Sequence, residues 1–377
     1  MFLKRLSLIN FKSYSQADIN FTHRINCFVG NNGQGKTNLL DAIHYLSLCK
    51  SAFNAIDSQN VRHTEEFFVV QGLFNRNEAE ENIYLAVKRS EGKVVKRNGK
   101  EYPRLADHVG LVPTVMVSPA DSSLILDGSE ERRRFLNGVI SQFDKAYLEQ
   151  VIKYNRILAQ RNKLLKDLRY NSSGVDIIDV FNQQLNSLGK SIYRTRVEFI
   201  NKLIPVFQKV YTQIAGSTEN VSLEYKSQLA EGDFLEMLQA AFPKDRAIEF
   251  TSVGIHKDDL VLLLNGNPIK KEGSQGQQKT YLIALKVAQF DFLEEISGYK
   301  PILLLDDIFD KLDMDRVEQF IRMLSDGGNG FGQVFITDTN KHRLDSILEK
   351  LDAGYSLFEV KNGNVSEIEQ QDGGKKE

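Results

Sequence analysis

The segment from Cys27 to Leu40 constrains this chain more than any other. Within it, Gly30 to Thr37 reads Gly-Asn-Asn-Gly-Gln-Gly-Lys-Thr, the Gly-x-x-x-x-Gly-Lys-Thr spacing of a P-loop. An apolar run from Ile25 to Val29 leads in, and a helical pattern from Asn38 to Leu48 leads out. Strand, glycine turn and helix in that order define a nucleotide-binding α/β fold. Gly30, Gly33 and Gly35, with Asn31, Asn32 and Gln34 between them, let the backbone curl so that its N–H groups face phosphate oxygens. The helix that opens at Asn38 adds unpaired N–H groups and its dipole. Lys36 supplies charge to the β- and γ-phosphates of a nucleoside triphosphate, and the Thr37 hydroxyl suits Mg²⁺.

With 377 residues, the chain has room for two domains or one large one. Its net charge of −2 means that any nucleic-acid surface must be a local patch. Cys27 and Cys49 have neither metal-ligand spacing nor a disulfide framework, which fits a reducing cytoplasm. No signal peptide is expected at the start, and no apolar run is long enough to span a bilayer.

Three companions follow the P-loop. Ile302 to Asp306 reads as a buried strand ending in an acid, a Walker B strand whose Asp306 can hold Mg²⁺. Asp307 then stands where a second acid can polarise an attacking water. Before them, Ser274, Gln275, Gly276 and Gln277 open a helix and make a second anion site. Elsewhere, Phe67 to Val95 alternates as short strands, and Arg97-Asn98-Gly99-Lys100 reads as a hairpin turn. The helix after Lys36 places Leu39, Leu40, Ile43 and Leu46 on one face. From Gly128 to about Ala215 the pattern is mainly helical, with Val151, Tyr154, Leu158, Leu165 and Leu168 at helical spacing and a break at Ser172-Ser173-Gly174. The heptads are not sustained, so no long coiled-coil arm is expected. Basic residues on these helices, Arg156, Arg161 and Lys163 above all, are candidates for nucleic-acid phosphates and equally suited to a solvated helix face. Arg132 to Arg134 sit beside Glu130 and Glu131 and are equally suited to internal ion pairs.

The Ser274 stretch resembles the signature motif of ABC-type ATPases, and within that superfamily the chain resembles the RecF family. Asn10-Phe11-Lys12-Ser13-Tyr14 is similar to the opening of RecF and its SMC-like relatives. Val117-Ser118-Pro119-Ala120-Asp121 with Arg132 to Leu136, Gly254 to Leu260, and Ser274 to Lys279 match further RecF stretches. Departures are Ala120 for Glu, Glu130 at or beside the family's Pro, Ile255 for Pro and Lys257 for Arg. The resemblance implies an ABC-type ATPase head with an inserted helical lobe, ATP and Mg²⁺ as cofactors, and a signature acting in trans on the ATP of a second subunit. It assigns Asp313 to the D-loop that crosses the same interface. It further implies an ATP-dependent homodimer on double-stranded DNA, at gaps or single-strand/double-strand junctions, that cooperates with RecR and RecO in loading RecA. Weak ATPase activity would reset that clamp.

The expected ATPase lobe combines residues 1–125 and 240–365, the helical lobe spans 126–239, and residues 366–377 form a disordered tail. Two other readings share the ATP chemistry. A nucleotide-binding subunit of an ABC transporter would need a membrane partner, and the Phe11-Lys12-x-Tyr14 opening argues against it. An SMC-like structural clamp would carry long coiled-coil arms.

Overall fold

The computed structural model describes residues 1–22, 24–77, 79–168, 175–216, 219–309, 314–325, 331–349 and 354–371. In chain order its first elements are β1 (Phe2–Phe11), β2 (Tyr14–Asn20), β3 (Ile25–Val29), α1 (Lys36–Leu48), β4 (Phe67–Arg76), β5 (Ala79–Lys88), β6 (Gly92–Arg97), β7 (Lys100–Glu101) and β8 (Thr114–Val117). There follow α2 (Ser123–Leu126), α3 (Ser129–Ile140), α4 (Lys145–Asp167), α5 (Val175–Ala215), β9 (Val221–Lys226), α6 (Phe234–Ile248), β10 (Asp259–Leu264), β11 (Asn267–Pro268) and α7 (Ile269–Glu272). The last are α8 (Gln275–Ser297), β12 (Ile302–Asp306), α9 (Met314–Ser325), β13 (Val334–Asp338), α10 (Lys341–Leu348), β14 (Tyr355–Lys361) and β15 (Asn364–Gln371).

The chain divides into two compact units. The first, Met1–Ser122 with Val210–Ser217 and Gln275–Glu377, holds two six-stranded sheets. Its central sheet has the order β15-β14-β3-β13-β12-β8. Strands β3, β8, β12 and β13 are buried at every residue, so their sequences run apolar without alternation. All four are parallel, and the register sets Asp306 beside Thr337 and Asp338 beside Val29. Their polar C-terminal ends therefore share one edge of the sheet with the P-loop.

The second sheet is antiparallel, in the order β2-β1-β4-β5-β6-β7. Its alternation sends Leu6, Leu8, Phe68, Val70 and Leu85 into one cluster with Phe28, Leu304 and Phe335 of the central sheet and with Leu39, Leu40, Ile43 and Leu46 of α1. Helix α1 thus lies between sheets and is buried all round from Leu39 to Ser47, rather than on the single face its leucines suggest. The β6–β7 hairpin turns at Asn98 and Gly99, with φ 49° and 78° and Arg97 paired to Lys100, as the Asn-Gly signal predicts.

At the other end the expected disordered tail is corrected for residues 366–371. They form β15, paired with β14 through a turn at Asn362 and Gly363, both at positive φ. The ladder to β14 orders a strand whose polar composition reads as tail. Residues 372–377 lie outside the described residues.

The second unit is Ser123–Lys209 with Thr218–Ser274. Residues 240–274, expected in the ATPase lobe, group here instead. The cause is pairing: β10 runs antiparallel to β9 from Asp259↔Lys226 to Leu264↔Val221, which makes the three-stranded sheet β11-β10-β9 of this unit. Along α4 the buried line is Tyr147, Val151, Tyr154, Ile157, Arg161 and Leu165, so Ile157 takes the place expected of Leu158. The break at Ser172 to Gly174 lies outside the described residues. No described helix is long and apolar enough to cross a membrane.

Candidate nucleotide-binding site

Strand β3 ends at Val29 and α1 begins at Lys36, so six of the motif's eight residues form the turn and the last two open the helix. Two of its glycines are required by close approach. A Cβ at Gly30 would stand 2.3 Å from the Val360 carbonyl oxygen. One at Gly35, where φ is 110°, would stand 2.7 Å from the Ser13 hydroxyl and 2.9 Å from that of Tyr14. The β1–β2 turn braces the loop from that side: Tyr14 donates its hydroxyl to the Gly35 carbonyl at 3.0 Å, and Asn38 donates to the Ser13 hydroxyl at 2.9 Å. Burial pushes the Tyr14 phenol well above its usual value, so it stays a donor.

Lys36 Nζ donates to the carbonyls of Gly30 at 2.6 Å and Asn31 at 3.0 Å. Burial lowers its ammonium below the usual lysine value, while Asp307, Asp306 and Asp338 act in the opposite sense. Thr37 Oγ1 donates to both carboxylate oxygens of Asp306, at 2.9 and 3.0 Å. Thr337 Oγ1 donates to the same carboxylate at 2.7 Å. Burial pushes the Asp306 carboxyl up, and the hydrogen bonds from Thr337 and Thr37 pull it back. A hydroxyl and a carboxylate in contact are the oxygen donors that Mg²⁺ takes beside phosphate, so the residues present fit that ion.

Asp307 follows at φ 47°, in the left-handed region, and its N–H donates to the Thr337 carbonyl at 3.2 Å and hydroxyl at 3.1 Å. A cleft is lined by Asn32, Gly33, Gly35, Lys36, Thr37, Asn38, Asp306, Asp307, Thr337 and Thr339. The structure thus brings together the P-loop and both acids across a sequence separation of 269 residues. It adds Thr337 and Thr339, which carried no role in the sequence; the available signal was a second apolar strand ending in Thr-Asp-Thr.

None of Ser274, Gln275, Gly276 or Gln277 is among the residues lining this cleft. Ser274 ends the second unit, and Gln275 begins α8 in the first. Asp313 lies outside the described residues.

Of the DNA candidates, Arg156 and Lys163 are exposed on α4. Arg161 is corrected: it is fully buried, paired with Asp245 at 2.8 Å and bonded to Thr251 at 2.8 Å and Asn182 at 3.0 Å. It sits on the same line of α4 as Tyr154 and Leu165, facing the core of its unit. The arginine triplet is engaged within its own unit, Arg134 on the surface. Arg132 grips Asp259 through two bonds, Arg133 donates to the Asp258 carbonyl, and Arg134 pairs with Glu130 and Glu131. Arg196 pairs with buried Asp258 at 3.0 Å. His256 is structural: it meets Tyr154 and the Thr251 carbonyl, and burial lowers its pKa to about 4.

The parallel sheet, the P-loop and the paired acids on one strand end define the nucleotide-binding head of a P-loop ATPase, joined to a second unit of helices and a small sheet. The family model for the RecF/RecN/SMC N-terminal domain matches residues 2–366. The DNA replication and repair protein RecF of Phocaeicola vulgatus is 50% identical over 369 residues, 97% of this chain and 98% of that protein. RecF of Flavobacterium johnsoniae is 49% identical over 361 residues, 96% of this chain and all of that one. A solved structure of the recombination mediator protein RecF with ATP, from the RecFOR pathway, superposes with a TM-score of 0.88 at 31% identity, covering 98% of each chain. The chain belongs to the RecF family.

Proposed function

We propose that this chain is an ATP-dependent DNA-binding protein of recombinational repair, a weak ATPase whose nucleotide state controls dimerisation on double-stranded DNA at gaps and single-strand/double-strand junctions. The observation that carries the reading is the contact of Thr37 with Asp306, which joins the P-loop to the Walker B strand in one cleft. The loop N–H groups and Lys36 bind the phosphates, and Thr37 and Asp306 hold Mg²⁺. The ion, when bound, neutralises charge on the β- and γ-phosphate oxygens. Asp307, on its constrained backbone, orients and polarises the water that converts ATP to ADP and phosphate.

Ser274 to Gln277 complete the site in trans on a second copy, as their likeness to the ABC signature implies. The exposed residues Arg156 and Lys163, with Lys153 and Lys166 on the same face of α4, contact DNA phosphates. Relatives named RecF, with one RecF structure described as a recombination mediator in the RecFOR pathway, support a place beside RecO and RecR, and the family resemblance adds the loading of RecA. The setting is the cytoplasm, in keeping with the free buried thiols Cys27 and Cys49. Sedimentation of the purified protein tests the reading: a monomer without nucleotide, a dimer with ATP, and a larger species with ATP and gapped DNA. A monomer under all three conditions would overturn it.

A further inference from the structure

We propose that Arg343 is a positioning residue for ATP hydrolysis, holding the Asp307 carboxylate off Lys36 and in place for the attacking water; the inference rests on the ATPase reading above. Helix energetics do not explain the residue. Its helix α10 opens with Lys341, His342 and Arg343 and has no acid in its first turn. Cations at that end oppose the helix dipole.

What places Arg343 is the sheet edge. Asn340 caps α10 by accepting from the Arg343 N–H at 3.2 Å, and its own N–H donates to Asp338 at 2.7 Å. The guanidinium then grips Asp338 through Nε at 3.0 Å and Nη2 at 2.8 Å, with the Asp338 side chain wholly buried. The same Nη2 lies 3.7 Å from Asp307 Oδ1, within ion-pair range.

Three carboxylates therefore share one edge with Lys36. All three act on the lysine, Asp307 most strongly. With Lys36 as the sole cation, Asp307 would be drawn onto it, lost to water and competing with phosphate for the ammonium. Arg343 neutralises Asp338 and offers Asp307 a second cation, held in place by its two bonds to Asp338. The Asp307 main chain is pinned by Thr337, so its side chain is the part left to position. Arg343, three residues beyond Asn340, thereby brings a guanidinium within ion-pair range of the second acid.

The test measures ATP affinity with a fluorescent analogue and single-turnover hydrolysis with Mg²⁺ on the full chain. Arg343→Gln is expected to lower the hydrolysis rate by roughly tenfold or more while ATP affinity stays within about twofold, the split of a group acting only on the chemical step. Arg343→Lys should recover part of the loss. In an Asp307→Asn background, Arg343→Gln should cost almost nothing further, because the two act as a unit. Since Arg343→Gln also leaves Asp338 buried without a counter-charge, the comparison is repeated in Asp338→Asn protein, where that problem is absent. Losses that multiply in the double variant, weakened ATP binding alone, or an unchanged rate would each overturn the inference. A parent protein that does not hydrolyse ATP at all would instead overturn the ATPase reading.

Discussion

Lys36 and Asp307 are the two residues whose chemistry is most separable. Lys36 reaches the loop carbonyls through a flexible stem, so Lys36→Ala should abolish ATP binding, and Lys36→Arg should bind but hydrolyse poorly, because a planar fork does not replace a point charge. Equilibrium binding of a fluorescent nucleotide measures both, and unchanged binding in Lys36→Ala would refute the P-loop assignment. Asp307→Asn keeps the backbone contacts to Thr337, so ATP and Mg²⁺ should still bind while hydrolysis slows by roughly a hundredfold or more. Normal turnover in that variant would move the water-polarising role elsewhere. Arg161 belongs to a different account. It and Asp245 are both wholly buried, so Arg161→Ala should lose about 3–5 kcal/mol of stability, read from the urea midpoint. A loss below about 1 kcal/mol would mean that the pair is not the anchor its burial implies. In the sequence Arg161 looks like Arg156 and Lys163. What separates them is Asp245, 84 residues away, and helical periodicity did not announce it because arginine is rarely a core residue.

Among the elements, α4 is the one with two opposed faces. One carries Tyr154, Ile157, Arg161 and Leu165 inward, and the other leaves Lys153, Arg156, Lys163 and Lys166 exposed. If the outward face meets phosphates, Arg156→Glu with Lys163→Glu should weaken duplex binding and reduce the slope of log affinity against log salt by roughly one per lost contact. An unaltered slope would leave the face merely solvated. Helix α1 shows the converse: its periodicity indicated one apolar face, yet both sides are packed because a second sheet lies over it. The β14–β15 hairpin was legible in principle, since Asn362-Gly363 is a turn signal, but the polar run after Val365 obscured it.

For the whole molecule, the question is whether one chain holds a complete site. Ser274 and Gly276 have the character of a phosphate site and lie far along the chain from Lys36. Ser274→Arg should therefore leave ATP binding near normal while blocking ATP-driven dimerisation and the hydrolysis that depends on it. Mixing Ser274→Arg with Lys36→Ala protein should restore partial ATPase, because one composite site of the heterodimer keeps an intact Lys36 and an intact Ser274. Dimerisation of Ser274→Arg protein equal to that of the parent would refute the composite site. By itself the sequence determined the nucleotide chemistry: the P-loop is eight contiguous residues, and Asp306 and Asp307 end a contiguous apolar strand, so each signal is local in the chain. Tertiary structure alone decided the rest. Thr337 and Arg343 meet the acids only because β13 lies beside β12, residues 240–274 join the second unit only because β10 pairs with β9, and Arg161 turns inward only because Asp245 waits there. Each of those outcomes depends on partners far along the chain, whose charge and hydrogen bonds no local pattern encodes.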